Sequence, residues 1–146
     1  MKRKQFIKTC GFVCLGVATS SIILQGCVSS IYFAQSSIED KRLIIKKTEF
    51  NNTEKHKQTQ RKFILVKTEQ LSFPICIYKL DEENYTALFM QCTHKGCELK
   101  PQGDYLICPC HGSEFTNRGF VQNPPAEENL RNFIIKTDNE NLYIQL

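Results

Sequence analysis

What this chain lacks narrows it first. It carries no excess charge beyond its start. Lys2, Arg3, Lys4 and Lys8 hold the whole surplus of +4, and from position 27 onward 15 bases balance 15 acids. A neutral domain offers no electrostatic footprint to nucleic acid, so that partner is excluded. No window from position 41 onward repeats its apolar residues at the helical period over ten residues, which argues against an all-α domain. No internal repeat or low-complexity tract stands out. Charge is absent altogether from Thr9 to Ile38.

That charge-free stretch follows the basic start MKRKQFIK. Thr9 to Leu24 is a 16-residue run of apolar and small residues. The arrangement has the form of a secretory signal. Leu24-Gln25-Gly26-Cys27 resembles a bacterial lipoprotein box, with Gln25 in place of the usual small residue, and the resemblance implies lipidation at Cys27. Arg3 to Lys8 is similar to a twin-arginine export signal with lysine as the second base. The competing reading is an uncleaved membrane helix, for which about 20 apolar residues suffice. A plain cleaved signal is the third. All three put the rest of the chain outside the cytoplasm. The expected organisation is a signal peptide or membrane anchor over 1–26, a polar neck over 27–40 and one domain over 41–146.

Within that domain, apolar runs recur at strand length between turn residues. Leu43-Ile44-Ile45, KFILVK (62–67), PICIYKL (74–80), YTALFMQ (85–91) and Tyr105-Leu106-Ile107 read as strands. Phe133-Ile134-Ile135 and Leu142-Tyr143-Ile144 flank a hairpin turn at Asp138-Asn139-Glu140-Asn141. Asn51 to Gln60, NNTEKHKQTQ, has no apolar residue and reads as a loop. The expected fold is all-β and mostly antiparallel, a sandwich or small barrel.

Eight cysteines are unevenly placed. Cys10, Cys14 and Cys27 lie in the N-terminal stretch. Cys76 alternates with apolar residues and reads as a buried small hydrophobe. The remaining four fall in two boxes, Cys92-Thr93-His94-Lys95-Gly96-Cys97 and Cys108-Pro109-Cys110-His111, each in a loop after a strand. A structural zinc wants a closed set of four ligands, usually with wider spacing than Cys92 and His94 provide, and six donors exceed one zinc. A two-metal cluster fits better, each box giving its first cysteine to one iron and its histidine to the other. Cys97 and Cys110 are then left over, and in an exported domain they can bridge. Zinc and a disulfide-only module remain the alternatives.

CTHKGC followed by CPCHGS resembles the paired signature of Rieske iron–sulfur proteins. The resemblance runs from about Phe73 to the C-terminus. It implies a Rieske-type β-sandwich with a small cluster-binding subdomain. The cofactor would be a [2Fe–2S] cluster in which two histidines replace two cysteines on one iron. The family's ligands map onto Cys92, His94, Cys108 and His111, and its disulfide onto Cys97 and Cys110. Pro124 and Pro125 fall where the family carries a loop over the cluster. Ser113 matches a serine that hydrogen-bonds a cluster sulfur and raises the potential. Phe115 departs from the tyrosine of the highest-potential members and implies a milder oxidant, suited to menaquinol.

The two extra cysteines resemble Rieske subunits of quinol-oxidising cytochrome bc complexes more than ferredoxins or oxygenases. An oxygenase would need a further iron held by two more histidines and a carboxylate, and only His56 remains. The expected role is therefore one-electron transfer as the iron–sulfur subunit of a membrane quinol-oxidising complex, with cytochrome b or c partners and quinol. The alternatives are the small subunit of another extracytoplasmic oxidoreductase, similar to arsenite oxidase, or an independent lipid-anchored carrier. No complete substrate site is legible in the chain alone.

Overall fold

A computed structural model describes residues 31–54 and 57–146. The expected export segment, with Cys10, Cys14 and Cys27, lies outside the described residues, as does His56. Among the described residues no helix is long and apolar enough to cross a membrane. The chain is almost entirely antiparallel strand, as expected: β1 Ser37–Glu39, β2 Arg42–Lys46, β3 Asn51–Glu54, β4 Lys57–Gln60, β5 Phe63–Val66, β6 Ile75–Lys79, β7 Tyr85–Phe89, β8 Lys100–Gln102, β9 Tyr105–Ile107, β10 Glu114–Thr116, β11 Val121–Asn123, β12 Ile135–Thr137 and β13 Asn141–Gln145.

The three most apolar strands form the central sheet, in the order β5-β6-β7. Cys76 stands opposite Leu65 on one side and Leu88 on the other. Successive side chains of a strand take opposite faces. Ile64, Val66, Ile75, Ile77 and Ala87 pack with Leu43, Ile45, Leu142 and Ile144 of the sheet β1-β2-β13-β12. Leu65, Cys76, Tyr78, Leu88 and Met90 pack on the other side with Leu106 and Phe115 of the sheet β11-β10-β9-β8. Both faces of the middle layer are thus covered. This is why KFILVK and PICIYKL read as continuous apolar runs and not as alternating ones. Each fully buried Leu or Ile contributes roughly 1.5–3 kcal/mol. The Tyr78 hydroxyl donates to the Tyr105 carbonyl at 3.0 Å, joining the middle sheet to the outer one. Cys76 is fully buried, as expected of a small apolar residue in this run.

Two stretches differ from their appearance in the sequence. Asn51 to Gln60, read as a loop, is the ribbon β3–β4, with Asn51 paired to Gln60 and Glu54 to Lys57. A two-stranded ribbon is held by its backbone ladder and leaves no apolar alternation to find. The residues read as a polar neck also make sheet contacts. The Ala34 N–H donates to the Leu65 carbonyl at 2.8 Å, and the Leu65 N–H to the Tyr32 carbonyl at 3.0 Å. Tyr32 donates to Glu49 at 2.7 Å and lies under the Arg61 guanidinium, 3.9 Å from its ring centre. β1 then returns to β2 through Asp40 and Lys41, both at positive φ, a tight hairpin turn.

Candidate metal centre

The two boxes leave the fold at one end. The first follows β7, and the second follows β9. Their backbones repeat one loop. The Cys92 N–H donates to the Cys97 carbonyl at 2.8 Å, and the Gly96 N–H donates back to the Cys92 carbonyl at 2.8 Å. In the second box the Cys108 N–H donates to the Ser113 carbonyl at 2.8 Å, and the Gly112 N–H to the Cys108 carbonyl at 3.0 Å. Gly96 and Gly112 hold equivalent places, at φ +74° and +80°. A side chain at that conformation costs roughly 1–2 kcal/mol, so each loop closes on the residue that enters it freely.

The loops bring the expected residues together. Cys97 and Cys110 form a disulfide that clasps one box to the other. His94 and His111 meet edge-on, with ring centres 5.0 Å apart and planes at 85°. Cys92 and Cys108 are buried free thiols. Burial pushes the Cys92 thiol above its ordinary pKa, so the thiolate there wants a cation for company. His94 Nδ1 is buried and has no hydrogen-bond partner. Two buried thiols and a buried imidazole nitrogen without a partner, beside a second imidazole, form a donor set that fits a soft-ligand metal cluster. The Sγ atoms of Cys97, Cys108 and Cys110 also lie within 4.8 Å of one another. That trio is not a metal site, because two of its sulfurs are spent on the disulfide.

A third loop, 123–128, is fixed to both boxes. The Ala126 N–H donates to Ser113 Oγ at 3.0 Å, and Asn123 Nδ2 to the Gly112 carbonyl at 3.3 Å. Thr93 Oγ1 donates to the Glu128 carbonyl at 2.7 Å. Pro124 and Pro125 sit exposed in this loop, while Ser113 is wholly buried beneath it. Sequence reasoning missed Thr93 and Asn123. Their residue types carried no signal, since ties to backbone carbonyls 35 and 11 positions away appear only in the fold. Phe115 lies in β10 opposite Leu106 and is 0% exposed. Beside His94, a cleft of about 470 Å³ opens between Thr93, Pro125, Glu127 and Glu128.

Residues 43–134 match the family model described as the Rieske [2Fe-2S] domain. Over 55 residues the chain is 42% identical to the ubiquinol-cytochrome c reductase iron-sulfur subunit of Rickettsia typhi, a match covering 36% of this chain and 31% of that protein. It is 34% identical over 55 residues to the cytochrome b6-f complex iron-sulfur subunit of Prochlorococcus marinus, again over 36% of this chain and 31% of the relative. The matched stretch therefore spans less than a third of these relatives' length. The crystal structure of the cyanobacterial plasma membrane Rieske protein from Synechocystis PCC 6803 superposes with a TM-score of 0.52 at 24% identity, over 58% of this chain and 87% of that one, a likeness of fold.

Proposed function

The chain belongs to the Rieske [2Fe–2S] family, and from that premise we propose that it is the electron-transfer subunit of a membrane quinol-oxidising complex of the quinol:cytochrome c reductase type. A bound [2Fe–2S] cluster supplies one-electron transfer at a potential of about −150 to +300 mV, well above all-cysteine plant-type clusters. Cys92 and Cys108 would hold one iron through thiolates, and His94 and His111 would hold the other through imidazole nitrogens. The half-buried His94 and the exposed His111 form the face a redox partner meets. Glu127, Glu128 and Thr93 frame the cleft beside His94, which would give a quinol headgroup polar neighbours next to a proposed ligand.

The observation that carries this reading is the Cys97–Cys110 disulfide joining the two boxes. A disulfide persists in an oxidising compartment, which supports an extracytoplasmic domain. It also matches the subunits of quinol-oxidising complexes among the family's branches. The relatives named above are iron-sulfur subunits of ubiquinol-cytochrome c reductase and of the cytochrome b6-f complex, matched over less than a third of their length. Residues 1–26 would export the domain or anchor it, with Cys27 as a lipidation site. Phe115, which offers no hydrogen-bond donor, suits a donor of lower potential such as menaquinol.

Purification of the tagged full chain from membranes tests the reading. Co-purification of a haem-bearing partner, with quinol oxidation that is lost in His111→Ala, is the expected result. A chain that purifies alone and reduces no cytochrome in the presence of quinol would overturn it.

A further inference from the structure

The ligand reading above, on which this inference rests, leaves Cys108 beside a disulfide it does not share. We propose that Cys108, whenever iron does not hold it, exchanges into the Cys97–Cys110 bond, so that loss of the cluster becomes locked in by a change of sulfur partners. The Sγ atoms of Cys97, Cys108 and Cys110 lie within 4.8 Å of one another. The turns closed by Gly96 and Gly112 hold these sulfurs at close quarters. Thiol–disulfide exchange asks for a nucleophilic sulfur next to a disulfide sulfur and for a departing sulfur that is well solvated.

Those requirements select one direction. Cys108 Sγ attacks Cys97 Sγ, the Cys97–Cys110 bond breaks, and a Cys97–Cys108 bond forms. Cys110 departs as the thiolate and takes up the proton that Cys108 gives up, so no oxidant or reductant is consumed. Cys110 is exposed, and water stabilises the departing charge there, whereas Cys97 is partly buried. Attack on Cys110 instead would close a small ring across Pro109 alone, a span that disfavours ordinary disulfide geometry. The product keeps Cys92, His94 and His111 but has removed Cys108 from the donor set. Iron then cannot regain its fourth protein ligand until a thiol reductant resets the pair. On this account the bound cluster protects its own disulfide, and insertion must come before exchange.

The test uses the full chain purified with its cluster, its iron and sulfide content recorded first. The cluster is stripped by a chelator without any thiol reductant. Free thiols are trapped with iodoacetamide at successive times and mapped by peptide mass. The expected result is a growing Cys97–Cys108 cross-link with Cys110 alkylated. Loss of cluster reconstitution should follow in step and reverse with dithiothreitol. A Cys108→Ser chain should keep Cys97–Cys110 throughout. Cys97–Cys110 intact at all times, with Cys92 and Cys108 alkylated, would overturn the proposal. Pairs spreading equally to Cys76 and Cys92 would also overturn it, because they mark scrambling of an unfolded chain. Starting material without iron and sulfide would sink the ligand reading itself, and that is known before any mapping begins.

Discussion

Ser113 Oγ accepts the backbone N–H of Ala126 at 3.0 Å, inside the protein and across 13 positions of sequence. With its lone pair engaged there, the Ser113 hydroxyl proton is free to point elsewhere. In the proposed centre it would donate to a cluster sulfur. Ser113→Ala removes both bonds. The stranded N–H should cost about 1–3 kcal/mol of stability. The lost donor, at about 1 kcal/mol, should lower the one-electron potential by roughly 40 mV. Thermal melting and protein-film voltammetry on the variant read the two effects separately. An unchanged potential would remove Ser113 from the tuning of the centre.

Phe115 gives the opposite experiment. It fills a wholly buried place next to Leu106 in the same core as Cys92 and Cys108. A tyrosine keeps the ring and adds a donor that must find an acceptor when buried. With a ligand sulfur as that acceptor, Phe115→Tyr should raise the potential by roughly 40 mV. A lowered or unmoved value would contradict the reading of Phe115 as the mark of a milder oxidant.

The equivalence of the two boxes can be tested at their glycines. Gly112 has no atom within 4 Å of an added Cβ, so Gly112→Ala meets no neighbour, and its cost is the φ of +80° alone. The expected loss is roughly 1–2 kcal/mol, together with weaker cluster retention, because His111 is the adjacent residue. Denaturant titration and iron content check both. A variant as stable as the parent would show that the loop has another route to closure.

The disulfide joins residues separated by 13 positions. A loop of that size implies about 3 kcal/mol of stabilisation in the chain-entropy account. Replacing both partners, Cys97→Ala with Cys110→Ala, avoids a leftover thiol and should cost that amount in urea unfolding. The cluster should be lost faster on dilution, although all four proposed ligands remain. Equal cluster lifetimes in variant and parent would mean that the clasp does not support the centre.

Much of this was legible in the sequence, and for physical reasons. β5, β6 and β7 announced themselves because both their faces are buried, which demands unbroken apolar runs such as Phe63 to Val66 and Ile75 to Tyr78. The two boxes announced themselves because metal donors are few in kind and tightly spaced. β3 and β4 were hidden, since a ribbon that rests on backbone pairing leaves no alternation. β8, β10 and β11 were hidden by their length, three residues each, too short for a period to show. The docking of Ala34 against Leu65 and the tie from Thr93 to Glu128 depend on distant backbone groups, which no local pattern encodes.

The central claim is a [2Fe–2S] centre held by two cysteines and two histidines, and pulsed electron paramagnetic resonance of the reduced protein tests it most directly. The purified chain is prepared with ordinary and with nitrogen-isotope-labelled histidine. The account predicts two nitrogen couplings that both change with the label, arising from His94 and His111. Couplings that ignore the label, or one histidine nitrogen in place of two, would contradict it.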